Sequence, residues 1–152
     1  MKIPEEFIQD YRKIENYCAG QEHCEFDVRL KLQKHGLPSE IINSFIQKLT
    51  DEKYIDNIRY CESYIHDHIY IKRWGKLKIK AHLRGKQISS QTINTAINSI
   101  PDEIYMDNLI YLLNRKKQGF AGKISDPKIK AKIMRYLASN GYESDLIFNL
   151  EF

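Results

Sequence analysis

Residues 72 to 86 read KRWGKLKIKAHLRGK. The stretch holds seven cations (Lys72, Arg73, Lys76, Lys78, Lys80, Arg84 and Lys86), one His and no acid. Trp74, Leu77, Ile79, Ala81 and Leu83 are interleaved with them, so the sequence predicts a packed helix and not a loose basic tail. Lys76, Lys80 and Arg84 are spaced i, i+4, i+8 and fall on one stripe of that helix. Concentrated, unopposed positive charge on a folded element points to a polyanion or an acidic protein surface as partner. Trp74 and Gly75 open the helix; Trp74 can pack in the core or meet a partner.

Other residue types with chemical potential form no site. Cys18, His23 and Cys24 are close in sequence, as are Cys61, His66 and His68, but neither set has the paired spacing of a structural zinc site. The sequence implies no metal and no cofactor. There is no phosphate-cradling glycine loop, no GxSxG and no HExxH, so no catalytic residue is assigned and the chain reads as a non-enzyme. Asp51, Glu52 and Asp56 cluster in TDEKYID, where they are expected to cap the next helix. Three cysteines without CxxC spacing suit reduced thiols, and no apolar run approaches a membrane span, so a soluble cytoplasmic protein is expected.

Charge is unevenly distributed. Residues 1–70 carry 9 basic and 13 acidic side chains, residues 71–100 carry 7 and 0, and residues 101–152 carry 8 and 7. The net charge of +4 therefore originates in one thirty-residue segment. A second, diluted basic region runs through Arg115, Lys116, Lys117, Lys123, Lys128, Lys130, Lys132 and Arg135, interrupted by Asp126.

The elements that carry these residues repeat. Shifting the sequence by 51 places Val28 on Ile79, Leu32 on Leu83, Leu37 on Ile88, Ser39 on Ser90, Ile42 on Ile93 and Ile46 on Ile97. A further 54 places Leu83 on Leu137, Ile88 on Tyr142, Ser90 on Ser144 and Ile93 on Ile147. Each copy is a helix with a late Leu, a short turn and a second apolar helix. One more helix fits ahead of each pair, at about Pro4–Cys18, Asn57–Arg73 and Asp102–Lys117, and Gly119–Pro127 reads as a loop. The expected fold is all-α: three tandem three-helix repeats in an elongated, curved array, divided at 1–54, 55–100 (the basic unit) and 101–152.

The repeat supplies an internal control. Where the middle copy has Lys76, Lys80 and Arg84, the first has Glu25, Arg29 and Gln33, and the third has Lys130, Met134 and Ala138. The fold does not require cations there, and like charges at i, i+4 cost a few tenths of a kcal/mol per pair, so roughly that much stability is given up in one copy only. That contrast assigns the stripe a binding role.

The middle copy resembles the RecX family of bacterial regulatory proteins. LTDEKYIDNIRYCESYI, with Ile55-Asp56 and Arg59-Tyr60-Cys61, and RWGKLKIKAHLRGKQIS carry the likeness. The Trp-Gly pair and the segment CAGQEHCE are similar to members from the Bacteroidetes group. The resemblance covers residues 5–150 and implies three three-helix repeats, no enzyme activity, and a protein that binds the RecA filament on single-stranded DNA and modulates it, usually by inhibition; a monomer is expected. It also leaves direct contact with single- and double-stranded DNA open. Many members have Gly before the isoleucine of the middle turn, where this chain has Gln87, so a turn of different shape is expected there.

Two other readings fit the residues. A sequence-nonspecific DNA-binding module would use a basic helix in a groove, although lysine-rich stripes act as point charges and read no bases. A helical adaptor for an acidic protein would use the same charge.

Overall fold

A computed structural model describes residues 3–121 and 123–152. Those residues form nine α-helices and no strand: α1 (Ile8–Gly20), α2 (Glu25–Lys34), α3 (Ser39–Asp51), α4 (Asn57–Tyr70), α5 (Lys76–Gly85), α6 (Ser90–Ile97), α7 (Asp102–Gln118), α8 (Pro127–Ser139) and α9 (Ser144–Phe148). A short 3-10 turn at Glu5–Phe7 leads into α1, and another, Lys123–Ser125, lies in the loop before α8. The helices group as α1–α3, α4–α6 and α7–α9, called units 1, 2 and 3 below.

Helix starts follow local chemistry. Asp56 caps α4, its Oδ1 accepting from the N–H groups of Ile58 and Arg59 at 2.9 and 3.1 Å. Asp126 caps α8 through Lys128 N–H at 2.9 Å, and Ser89 caps α6 through Thr92 N–H at 3.2 Å. Ser39 is the first residue of α3 and makes no side-chain cap; Pro38 holds the cap position. The expected helix 57–73 ends at Tyr70, because the chain then turns and Arg73 takes a left-handed conformation, φ 55°. Lys72, Arg73 and Trp74 therefore lie in a connecting loop, and the basic helix begins at Lys76.

Leu32, Leu83 and Leu137 occupy matching buried sites, 2%, 0% and 0% exposed. The turn after each is also the same. Gly36 and Gly141 sit at φ 75° and 97°, and Gln87 sits at 58°. The middle turn thus keeps the shape of the other two, contrary to the expectation from its missing glycine. A non-glycine residue there costs about 1 kcal/mol, small enough for the surrounding packing to override.

The buried side chains form two clusters. One lies within unit 1 and includes Val28, Leu32, Phe45 and Leu49. The other runs through units 2 and 3 without a break, from Cys61 and Ile79 to Tyr105, Leu109, Leu137 and Tyr142, and takes in Cys24 from unit 1. The accessible surface is 9692 Å² for 18.0 kDa. A compact chain of that mass exposes about 8,000 Å², so the units are strung out and not folded back on one another.

Candidate nucleoprotein-binding site

The basic helix α5 buries Ile79 and Leu83 and turns its cations outward. Lys76 and Lys80 are half-buried and Arg84 is exposed. Among the described residues the ion pairs use other cations: Arg29–Glu25, Lys48–Glu52, Arg59–Glu22, His66–Asp67 and Lys86–Asp27. The stripe Lys76, Lys80, Arg84 therefore has no carboxylate partner among the described residues. Hydrogen bonding to Asp27 at 2.7 Å raises the pKa of Lys86 and makes that residue a structural tie to unit 1. Of the cations the sequence put forward for partner binding, Lys86 is the one engaged with a carboxylate among the described residues.

Aromatic rings hold several of the remaining cations. Arg73 lies 3.9 Å over the Tyr111 ring, Lys76 4.5 Å over Tyr105, and Lys78 4.0 Å over Trp74, with Lys72 at 5.6 Å from the same ring. Such contacts contribute about 0.5–1 kcal/mol each at exposed sites and restrict long side chains before a ligand arrives. Trp74 is half-buried against the shared core and flanked by His68 and His82, ring centroids 4.4 and 4.9 Å away. With its neighbours occupied, Trp74 organises the loop and its cations; it is not an open stacking platform.

The start of α5 is fixed by unit 3. Gly75 N–H donates to the Asn140 carbonyl at 2.7 Å and Leu77 N–H to the Gly141 carbonyl at 2.9 Å. Lys76 N–H donates to the Tyr105 hydroxyl at 2.9 Å, and that hydroxyl donates to Glu143. Burial, and then the bond to Glu143, push the Tyr105 pKa upward, so the phenol keeps its proton. The Tyr142 hydroxyl reaches the Arg73 carbonyl at 2.8 Å, and the two Tyr rings stack at 5.1 Å. Glycine is needed at 75, since a Cβ there would lie 2.1–2.3 Å from the backbone of Gly141 and Tyr142. Tyr105, Asn108, Glu143 and Gly141 were not assigned to the site from sequence. An Asn in the apolar face of α7 was the available signal: Asn108 donates to the Ile69 carbonyl at 2.8 Å and fixes the end of α4.

The second basic region continues along α8 and the end of α7. Lys128, Lys130, Lys132 and Arg135 are all exposed on α8, and Lys130 lies 5.0 Å from the centre of the Phe152 ring. Arg115, Lys116 and Lys117 close the last turn of α7, where cations favour the negative end of the helix.

No group of three or more His, Cys, Asp or Glu among the described residues is placed to hold a metal ion. Burial pushes the thiols of Cys18, Cys24 and Cys61 up to about 11, which keeps them protonated and inert. No described helix is long and apolar enough to cross a membrane.

Residues 56–97 match the family model for the second three-helix domain of RecX, and residues 102–150 match that for the third. The protein called regulatory protein RecX from Bacillus mycoides (strain KBAB4) is 26% identical over 143 residues, 94% of this chain and 53% of that protein. Its counterpart from Bacillus cereus (strain B4264) is 25% identical over the same length. The chain spans about half the length of the curated relatives it matches. The crystal structure of RecX from Lactobacillus salivarius superposes with a TM-score of 0.81 at 24% identity, over 92% of this chain and 90% of that one. A second crystal structure, of a regulatory protein RecX, gives 0.84 at 23%, over 93% of this chain and 69% of that one. At these identities the two structures speak for the fold, and the matched units speak for the family: the chain belongs to the RecX family.

Proposed function

We propose that this chain is a non-enzymatic regulator of the RecA recombinase in the bacterial cytoplasm, acting in DNA repair and the SOS response. As a monomer it binds the RecA–single-stranded DNA filament and inhibits its ATPase and recombinase activity. One observation carries this reading. The stripe Lys76, Lys80, Arg84 lacks a carboxylate partner among the described residues, while the matching Arg29 of unit 1 is paired with Glu25 at 3.5 Å. A helical nucleoprotein filament presents phosphate and acidic protein surface along one groove, and an extended array with one cationic stripe suits it. Lys72, Arg73 and Lys78 extend the stripe toward unit 3, held by Tyr111 and Trp74.

The test replaces Lys76, Lys80 and Arg84 with Gln, which keeps helix propensity close to that of the parent. Binding to RecA filaments and inhibition of DNA-dependent ATP hydrolysis should fall while the protein stays folded. The slope of log K against log salt should drop by roughly 2 to 3 units, at about 0.7–0.9 per phosphate contact. Loss of filament binding alone assigns the stripe to the protein or to the composite surface; parallel loss on bare single-stranded DNA assigns it to phosphate. A triple variant that binds and inhibits like the parent at every salt concentration rules the reading out.

A further inference from the structure

The three equivalent helices α2, α5 and α8 solve the same electrostatic problem in two ways. The start of a helix is a positive pole with free N–H donors, and acids there are stabilising. Helix α2 has Glu25 and Asp27 in its first turn, and α8 is capped by Asp126. Helix α5 has Gly75 at the cap, no acid in its first turn, and the cations Lys76 and Lys78 at the pole that disfavours them.

Unit 3 makes up the deficit. The carbonyls of Asn140 and Gly141 and the Tyr105 hydroxyl take the N–H groups of Gly75, Leu77 and Lys76. Tyr105 is 2% exposed and passes its own proton bond to Glu143, so a carboxylate reaches the pole through a buried phenol. What a local acid would do instead is visible in unit 1. There Glu25 occupies the position of Lys76 and captures Arg29, which occupies the position of Lys80, at 3.5 Å. An acid in the first turn of α5 would neutralise the stripe in the same way.

We propose that Tyr105 and Glu143 are positioning residues for the basic helix. They supply its cap from the neighbouring unit, which fixes Lys76 in register and leaves the cationic stripe free of a competing carboxylate. This rests on the reading that α5 binds a polyanion.

The experiment measures binding of a fluorescein-labelled oligodeoxythymidylate, and of RecA filaments formed on it, at several salt concentrations. It pairs binding with thermal unfolding and with emission of Trp74, the chain's one tryptophan and a neighbour of the cap. Tyr105→Phe should stay folded, shift Trp74 emission, weaken binding about tenfold, as expected for loss of a hydrogen bond, and lower the salt slope by about one contact. Glu143→Ala should behave alike, and Glu143→Gln, which keeps an acceptor, should recover most of the loss. Leu77→Glu is the decisive variant, because Leu77 is 51% exposed and its replacement places an acid in the first turn. It should unfold no earlier than the parent and yet bind less tightly. Should Tyr105→Phe fail to fold, Glu143→Ala and its recovery in Glu143→Gln decide the positioning role. The proposal is overturned if Leu77→Glu binds like the parent, or if folded Tyr105→Phe loses only stability and keeps the parent's affinity and slope. When the triple Gln variant also binds like the parent, the polyanion reading itself has failed; when the triple variant loses binding and these variants keep it, only the positioning role falls.

Discussion

Unit 2 is joined to its two neighbours by different physics. Its junction with unit 3 is a continuous apolar core crossed by backbone hydrogen bonds, with Gly75 pressed against Gly141. Its junction with unit 1 rests on two ion pairs, Lys86–Asp27 at 2.7 Å and Arg59–Glu22 at 2.5 Å, one bond from Glu25 N–H to Asn57 at 3.1 Å, and the insertion of Cys24 and Phe26. Solvent-accessible ion pairs are screened by salt and contribute about 0–1 kcal/mol, whereas a buried apolar seam is insensitive to salt. Repeats alike in sequence pattern can therefore be coupled unequally. Units 2 and 3 share one core that presents the basic helix, and unit 1, with a core of its own, is an appendage joined by ion pairs and the insertion of Cys24 and Phe26. The two segments that match the RecX models are the two units sharing a core.

The largest expected effects break one core or the other. Leu83→Ala and Leu32→Ala should each cost about 2–5 kcal/mol, because both leucines are fully packed. Hydrogen exchange should separate them. Leu83→Ala should raise exchange through α4–α9 together, and Leu32→Ala should raise it in α1–α3 and leave α7–α9 protected. Equal loosening of all nine helices by Leu32→Ala would refute the division into one body and one appendage.

Next in size is the glycine contact. Gly75→Ala should cost about 3 kcal/mol, since its Cβ would collide with backbone atoms that cannot swing away. Gly85→Ala, with nothing within 4 Å of its Cβ, should be neutral or slightly stabilising. Urea unfolding of the two variants checks the contrast; a Gly75→Ala protein as stable as the parent would mean that the junction yields.

The division between what sequence shows and what it hides falls along the same line. The period-3.6 pattern and the 51- and 54-residue offsets locate Leu32, Leu83 and Leu137 and the helix pairs around them, because burial within a unit is a local property. The stripe Lys76, Lys80, Arg84 is legible for the same reason. The cap of α5 is not, because its donors and acceptors lie 29 to 69 residues apart in sequence: Lys76 to Tyr105, Gly75 to Asn140 and Arg73 to Tyr142. The status of Lys86 is hidden likewise, since its partner Asp27 is 59 residues away. Gln87 shows the reverse limit. A turn that favours glycine keeps its shape without one when the leucine before it and Ile88 after it are both buried.

A smaller effect sharpens the polar junction. Asp27→Asn should cost about 1 kcal/mol at low salt and less as salt rises. Cys24 is completely buried at this junction, so its reaction with a thiol reagent reports opening. Mass spectrometry should find Cys24 labelled faster in Asp27→Asn, and labelled faster in the parent at 1 M salt than at 0.05 M, where the Debye length shrinks from more than ~10 Å to ~3 Å. Cys61, held in the shared core, should label at an unchanged rate. Salt-independent labelling of Cys24 would show that the apolar insertion alone holds unit 1.

The smallest effect is a pH response confined to the same side of the molecule. All five histidines precede residue 101. His23 stacks on Tyr17 at 3.8 Å and His68 on Tyr64 at 3.8 Å, along a groove between units 1 and 2. The Nδ1 of His68 faces the Tyr64 carbonyl at 2.7 Å and so carries the proton. Desolvation lowers the pKa of both rings; for His68 the bond to the Tyr64 carbonyl and Asp67 oppose while Lys72 and His82 lower it further, and for His23 Asp27 and Glu22 oppose while Lys31 lowers it further. A histidine whose folded pKa is depressed binds its proton more readily when unfolded. Stability therefore rises with pH through the window below the unfolded value, about 6.5, and falls as the solution is acidified. Taking the parent from pH 7.5 to 5.5 should loosen the Tyr64–His68–Trp74 stack, quench or shift Trp74 emission, and speed Cys24 labelling. His68→Gln should remove most of the Trp74 response, because it deletes the ring that titrates 4.4 Å from the indole. Trp74 emission and Cys24 labelling that stay the same from pH 7.5 to 5.5 would show that His68 and His23 do not couple to this groove.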